Sequence, residues 1–420
     1  MNKKSYLITR MDGYICSFLM QDGRAVEIHR DSFVADDATE TSPNAALQTA
    51  HEDDKNLCIG DIYIGKIKNI ARQIGAAFVE VSPGKVCHLS LRDAVHPVFT
   101  KKGSSAQPQE GDELLVQISR DSIKSKYPSV TTNLTLHGKY VLLTTGNTRL
   151  SVSAKLNQTE KTRLLEVINE ILGRQTSEAC QKDGDTYGWL VRTNAKEASD
   201  ERIRDDVLRL KAQGDRLIAQ ARYRTCFSCL LRTPPRYLTR LQDLYSTEAD
   251  AILTDDEVLF TQIKEYLSQY QPEDLGKLQL YKDHLLPMQK LYALERQLSM
   301  ALSEKVWLKS GGYLVIQPTE ALTAIDVNTG KCSGGKNQEA TFLKINKEAA
   351  VEIARQLRLR NLSGIIIADF INMKSKEAQK ELLHLLDVQL KQDPIPTALI
   401  DMTKLSLVEI TRMKREKPLA

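Results

Sequence analysis

Two aspartates sit where a chain rarely tolerates charge without a use for it. Asp326 lies in Ala321-Leu-Thr-Ala-Ile-Asp-Val-Asn328, and Asp369 lies in Gly364-Ile-Ile-Ile-Ala-Asp-Phe-Ile371. Both stretches are apolar and rich in β-branched residues, so each reads as a buried strand. An ionised carboxylate in such a place costs several kcal/mol unless a cation, a metal or a hydrogen-bond donor meets it. Two carboxylates without a neighbouring histidine suit a hard divalent cation and phosphate chemistry. The plainer alternative is that each Asp caps a helix or forms a turn. Asp326, followed by Asn328-Thr-Gly330, fits that alternative; Asp369, followed by Phe370, Ile371 and Met373, fits it poorly.

The elements that must position them follow from periodicity. Between the two strands the sequence predicts one helix over 339–360, with Ala349, Ala350, Ile353, Ala354 and Leu357 on one face. A strand–helix–strand unit of this length favours a parallel crossover, which brings both aspartates to one edge of a sheet.

The wording of this segment resembles the catalytic core of the ribonuclease E/G family. The match runs from Ala321-Leu-Thr-Ala-Ile-Asp-Val-Asn328 through residues 348–373. The resemblance implies that Asp326 and Asp369 hold a Mg²⁺ ion and that Asn328 supports the site. It also implies a magnesium-dependent endoribonuclease that cuts single-stranded RNA and leaves 5′-phosphate and 3′-hydroxyl ends, in rRNA processing and mRNA decay. A noncatalytic RNA-binding protein and a nuclease acting on single-stranded DNA are the alternative readings.

Further upstream, five short strands at 62–70, 76–81, 86–91, 111–118 and 130–136, with Gly-bearing turns, fit a small OB-type barrel. Gly60-Asp-Ile-Tyr-Ile-Gly-Lys66 and Gly75-Ala-Ala-Phe-Val79 resemble the family's S1-like RNA-binding domain. On that resemblance Phe78 is an RNA-stacking aromatic, Lys126 a basic RNA contact, and His88 stands at the second aromatic position. A strand is predicted at 188–193, a helix at 159–172 and a charged helix at about 198–224. By resemblance Arg192 and Thr193 belong to a pocket for an RNA 5′-monophosphate, and Gly138 and Leu142 meet its terminal nucleotide. A guanidinium pairs bidentately with phosphate, so the residue types suit the role. The family's basic residue past the second Asp aligns with Gln392-Asp-Pro-Ile-Pro-Thr397, which has none.

The resemblance thus implies an α+β and α/β multidomain chain. Residues 1–56 and 237–301 form an RNase H-like scaffold, 57–132 the inserted S1-like OB domain, 133–236 the 5′-sensor region, and 302–420 a DNase I-like catalytic domain. Within the last, 405–415 matches a family helix, with Arg412 and Arg415 at basic positions and Ser406 where Gly is usual. The basic loop 329–336 is either a phosphate contact or a linker. The sequence stops before the family's Cys-Pro-x-Cys zinc segment, so a short form is expected, a possible homo-oligomer without that zinc link.

Composition bounds the rest. At 420 residues, with 41% hydrophobic and 27% charged residues, several ordinary folded domains are expected, and a net charge of +4 neither demands nor excludes nucleic acid. No apolar run approaches membrane-spanning length and no signal-peptide core follows Met1, so a cytoplasmic, membrane-free protein is expected. The acidic segment 36–54 reads as an exposed loop. Seven cysteines form no tight framework; only Cys226 and Cys229 have ligand spacing, and they supply two of the four ligands a structural zinc needs. The pair reads as small residues packed near a helix end.

Overall fold

The computed structural model describes residues 4–32, 57–94, 97–100, 107–120, 127–173, 187–243, 249–330, 338–414 and 418–419. The acidic segment 36–54, Lys126, Arg415 and most of the basic loop, 331–336, lie outside the described residues.

The chain opens with three antiparallel strands, β1 (Lys4–Met11), β2 (Tyr14–Gln21) and β3 (Arg24–Ser32). Two Asp-Gly turns join them, with Asp12 and Asp22 at φ 50° and Gly13 and Gly23 at φ 76°. This is the left-handed pair a tight hairpin requires.

A barrel follows, built from β4 (Ile62–Ala71), β5 (Ala76–Ser82), β6 (Lys85–Ser90), β7 (Glu113–Arg120) and β8 (Ser129–Thr131). It closes because β4 pairs with both β5 and β7, while β8 bridges β6 and β7. The result is an OB-like closed five-stranded barrel, as expected, except that its last strand stops at Thr131. Residues beyond it turn into a second sheet.

That sheet contains β9 (Thr135–His137), β10 (Val141–Thr144), β11 (Leu150–Val152) and, after helix α1 (Gln158–Leu172), β12 (Gly188–Val191), in the order β11-β12-β10-β9. Asn157 and Glu160 form a reciprocal capping box that starts α1. Helix α2 (Asp200–Ala221) packs Ile203, Val207 and Leu210 into the same core as Val141, Trp189 and Val191. Then come β13 (Cys229–Leu231), which pairs with β4, helix α3 (Arg236–Asp243), β14 (Ala251–Thr254), helix α4 (Glu257–Tyr270) and β15 (Leu278–Leu280). β14 runs parallel to β1 and β15 parallel to β14, giving the order β15-β14-β1-β2-β3.

After helices α5 (Met288–Leu291) and α6 (Leu294–Leu302) the final sheet begins. Its strands are β16 (Lys305–Trp307), β17 (Tyr313–Pro318), β18 (Leu322–Asn328) and, after helix α7 (Gln338–Leu359), β19 (Gly364–Asp369). Helix α8 (Lys376–Leu390), β20 (Thr397–Met402) and β21 (Leu407–Arg412) complete it. The order is β16-β17-β18-β19-β21-β20, with β18 and β19 parallel across the α7 crossover. Helix α7 ends where Asn361 adopts φ 50° and the Leu362 amide donates to the Leu357 carbonyl at 3.0 Å, a left-handed stop.

The contacts divide the chain into two compact units, 1–35 with 247–261 and 276–420, and 36–246 with 262–275. Among the described residues no helix is long and apolar enough to cross a membrane.

One expectation fails here. Residues 405–414 are not helical: β21 pairs antiparallel with β19, placing Leu407 opposite Asp369. The β-branched content of Val408, Ile410 and Thr411 and the free edge of β19 favour a strand over the helix that the resemblance implied. Arg412 is accordingly buried. It donates to Asp393 at 2.8 Å, to Asn361 at 2.8 Å and to the Leu362 carbonyl at 3.0 Å, so it ties the sheet to the end of α7.

Candidate active site

Strand β18 alternates. Ile325 and Val327 are buried against the face covered by α7 and α8, and Asp326 points out of the opposite face. In β19, Ile366 and Ala368 are buried and Asp369 is exposed. The expectation of carboxylates embedded in buried strands is therefore corrected, because among the described residues helices cover only one face of this sheet and period two sends both aspartates to the other.

The register makes them neighbours. Asp326 stands directly opposite Asp369, with Val315 on the far side of Asp326 and Leu407 on the far side of Asp369. Adjacent strands lie about 4.8 Å apart, and like charges directly opposite destabilise a sheet. Among the described residues neither carboxylate has a cationic partner. Asn328, two residues along and on the same face, donates its side-chain amide to Asp326 at 2.7 Å. That bond fixes one carboxylate oxygen and leaves the rest of the pair available. Among the described residues no three His, Cys, Asp or Glu side chains gather around one point. Two carboxylates suit Mg²⁺, which usually takes one or two and keeps waters or phosphate oxygens elsewhere.

The strand ends are pinned. Asn346, wholly buried on α7, donates to the Ile371 carbonyl at 2.8 Å and accepts from the Ile371 amide at 3.1 Å. Glu339 accepts from the Ser375 amide at 2.7 Å. Both hold the segment that follows Asp369. The sequence reading missed Asn346; its signal was an amide side chain beside Ile345 on the apolar face of the helix. Past Asn328 the chain turns at Gly330 (φ 58°), where a Cβ would stand 2.2 Å from the Gly311 carbonyl oxygen, so no larger residue fits.

On the barrel, Phe78 is half-buried in β5 and paired in register with His88 of β6. Their ring centroids are 6.3 Å apart at 82°. Tyr127 stands 5.8 Å from Phe78 at 74° and is largely exposed. The sequence reading passed over Tyr127, although it directly follows Lys126.

In the four-stranded sheet, Arg192 follows the end of β12 and donates to the Gly138 carbonyl at 2.9 Å, while its own amide donates to the Tyr140 carbonyl at 2.8 Å. Thr193 and Ser153 share a hydroxyl hydrogen bond of 2.9 Å. Gly138 cannot carry a side chain, since a Cβ would meet the Asp206 carboxylate at 2.4 Å. That carboxylate accepts from the Tyr140 amide at 2.9 Å and fixes the turn. Leu142 is half-buried on β10, opposite His137 and Leu190. Gly138 and Arg192 are thus in contact, with Thr193 next in the chain.

The model of the Ribonuclease E/G family matches residues 135–415, more than half of the chain. The chain belongs to the ribonuclease E/G family. It is 32% identical to Ribonuclease G of Salmonella typhimurium over 372 residues, covering 85% of this chain and 73% of that protein. It is 31% identical to Ribonuclease G of Haemophilus influenzae over 375 residues, covering 87% and 74%. With Ribonuclease E of a Nostoc species it shares 32% over 369 residues, 85% of this chain and 51% of that longer protein.

Three further positions in this family member are placed by the fold. Cys226 and Cys229 lie a few residues past the end of α2 and pack against the barrel. Cys229 opens β13 opposite Tyr63 of the barrel, and the Cys226 thiol faces the Ile64 carbonyl. Burial pushes the Cys229 thiol up to about 11, away from the thiolate that binds metal. Ser406, where the family usually has Gly, adopts φ 65° in the turn between β20 and β21.

Proposed function

We propose that this endoribonuclease of the ribonuclease E/G family is magnesium-dependent and cuts single-stranded RNA, leaving 5′-phosphate and 3′-hydroxyl ends. It would serve cytoplasmic rRNA processing and mRNA decay. The observation that carries the reading is the register of Asp326 against Asp369 on an open sheet face. These two carboxylates would hold the ion, and Asn328 would keep Asp326 turned toward it. When bound, Mg²⁺ supplies polarisation of a phosphodiester and a lowered pKa for the attacking water. Attack by water leaves the phosphate on the 5′ end. The route through the ribose 2′-hydroxyl needs an acid–base pair, and no histidine occurs in either aspartate segment.

Other parts of the chain would handle the strand. Phe78, with Lys126, would stack and pair with an unpaired strand on the barrel, and Tyr127 enlarges that aromatic surface. Arg192, Thr193, Gly138 and Leu142 would receive a 5′-monophosphate. The sheet order β15-β14-β1-β2-β3 supports an RNase H-like scaffold from 1–56 and 237–301. The one-sided sheet of 302–420 supports a DNase I-like catalytic domain.

Matched RNA and DNA oligomers, incubated with and without Mg²⁺, test the reading. Cleavage of single-stranded RNA alone, only with Mg²⁺, and with 5′-phosphate products is expected. Asp326→Asn and Asp369→Asn should each lose nearly all turnover and keep RNA affinity within a few-fold. Retained turnover in both, equal cutting of DNA, or cyclic-phosphate products would overturn it.

A further inference from the structure

The open face that carries the aspartates also carries an aromatic pair that the proposed mechanism does not use. Trp307, on edge strand β16, pairs in register with Tyr313 of β17, which pairs in register with Asn328 of β18. The next row on the same face runs Lys305, Val315, Asp326, Asp369. The Trp307 and Tyr313 rings are 5.2 Å apart at 58°. Lys305 Nζ lies 4.3 Å from the centre of the first and 3.6 Å from the centre of the second.

Trp307 is 60% exposed, whereas Trp189, the other tryptophan, is 2% exposed. Packing therefore does not explain Trp307. Its neighbours Val306 and Leu308 already supply this edge's contribution to the core. An exposed tryptophan beside a half-buried tyrosine and a cation has the composition of a nucleic-acid stacking platform, in which bases lie on the rings and an ammonium meets the phosphate.

We infer that Trp307 and Tyr313, with Lys305, hold one or two unpaired bases of the RNA next to the bond cut at Asp326 and Asp369. This rests on the endoribonuclease reading and deepens it. Continuity decides the occupant. The aromatic row ends on Asn328, and at about 4.8 Å per strand it begins some 5–10 Å from the Asp326 strand. That is the span of about two or three stacked nucleotides at ~3.4 Å each. Stacking accepts any base, so this surface grips a strand without demanding a sequence.

The test uses a single-stranded RNA oligomer with one cleavage bond and a series in which one nucleotide at a time near that bond lacks its base. In the unmodified protein, base removal at one or two positions should lower kcat/KM by roughly 5- to 150-fold, the range aromatic stacking spans. Trp307→Ala should lose a similar factor on the intact oligomer and become indifferent to base removal at those positions. Trp307→Phe, which keeps a ring, should stay within a few-fold of the unmodified protein. If Trp307→Ala cleaves normally, or if its loss multiplies with base removal at every position, the platform is refuted. A Trp307→Ala defect that disappears at high protein concentration, with a halved mass in sedimentation, would make the occupant a second copy of the chain and also refute it. Asp326→Asn run in parallel separates the two readings. An inactive Asp326→Asn beside a normal Trp307→Ala removes only the platform, whereas an active Asp326→Asn removes the catalytic site itself.

Discussion

Asp326 and Asp369 face each other in register across two parallel strands, on the side of the sheet that no helix covers among the described residues. Their juxtaposition has a consequence for stability that is separate from catalysis. Without a cation the two charges repel, at a cost of about 0.2–1 kcal/mol. Asp369→Asn should therefore raise Tm slightly in metal-free buffer. Mg²⁺ should raise Tm in the unmodified protein, through a stabilisation of about 1.4 kcal/mol at tenfold over Kd, and should leave Asp369→Asn unmoved. Thermal melts across a Mg²⁺ series check both signs. An identical Mg²⁺ response in the two proteins would place the ion elsewhere.

Asn346 holds the backbone of Ile371, two residues past Asp369, through a donor and an acceptor at once. Asn346→Ala leaves both backbone groups without that partner in a buried place, so a loss of about 1–3 kcal/mol in stability is expected. As a positioning residue it should also matter to the metal site. The Mg²⁺ concentration for half-maximal cleavage should rise, while the KM for RNA stays within a few-fold. Unchanged Mg²⁺ dependence at lowered stability would make Asn346 structural only.

How far the sequence reached is clearest on this sheet. The strand character around Asp326 and the apolar face of α7 were both legible, and so was the parallel pairing of the two strands. The exposure of the aspartates was not, because a run such as Gly364-Ile-Ile-Ile-Ala-Asp369 looks the same whether one face or both are covered. The strand at Leu407–Arg412 was hidden for a related reason, since its partner β19 is remote in sequence and only tertiary pairing selects strand over helix. Asn346 and the Trp307–Tyr313 row were invisible because their meaning lies in what stands opposite. Arg412 was legible only as a basic position of the family, and only the fold reveals Asp393 and Asn361 as its partners.

Ser406 holds φ 65° in a tight turn, its amide donating to the Thr403 carbonyl at 2.9 Å. A side chain in the left-handed region costs about 1–2 kcal/mol, and Gly recovers part of that while adding entropy to the unfolded chain. Ser406→Gly should stabilise the protein by up to about 1 kcal/mol, measured by denaturant melts, with cleavage unchanged. Destabilisation would mean that the Ser406 side chain contributes more than its backbone strain costs.

Arg192 is held by the Gly138 carbonyl, and its neighbour Thr193 by the Ser153 hydroxyl, which presets both side chains at the proposed end-sensing pocket. If a 5′-monophosphate docks there, the guanidinium contributes a charge-assisted hydrogen bond of about 1.5–3 kcal/mol. Arg192→Ala should then lower kcat/KM about 10- to 150-fold on 5′-monophosphorylated RNA and by much less on the same RNA with a 5′-hydroxyl. Arg192→Lys keeps the charge but loses the planar fork, so it should fall between the two. The comparison also controls for the structural bond to Gly138, since a loosened turn would harm both substrates alike. Equal losses on the two RNAs would therefore show that Arg192 only supports the sheet, and that this chain cuts without reading the end of its substrate.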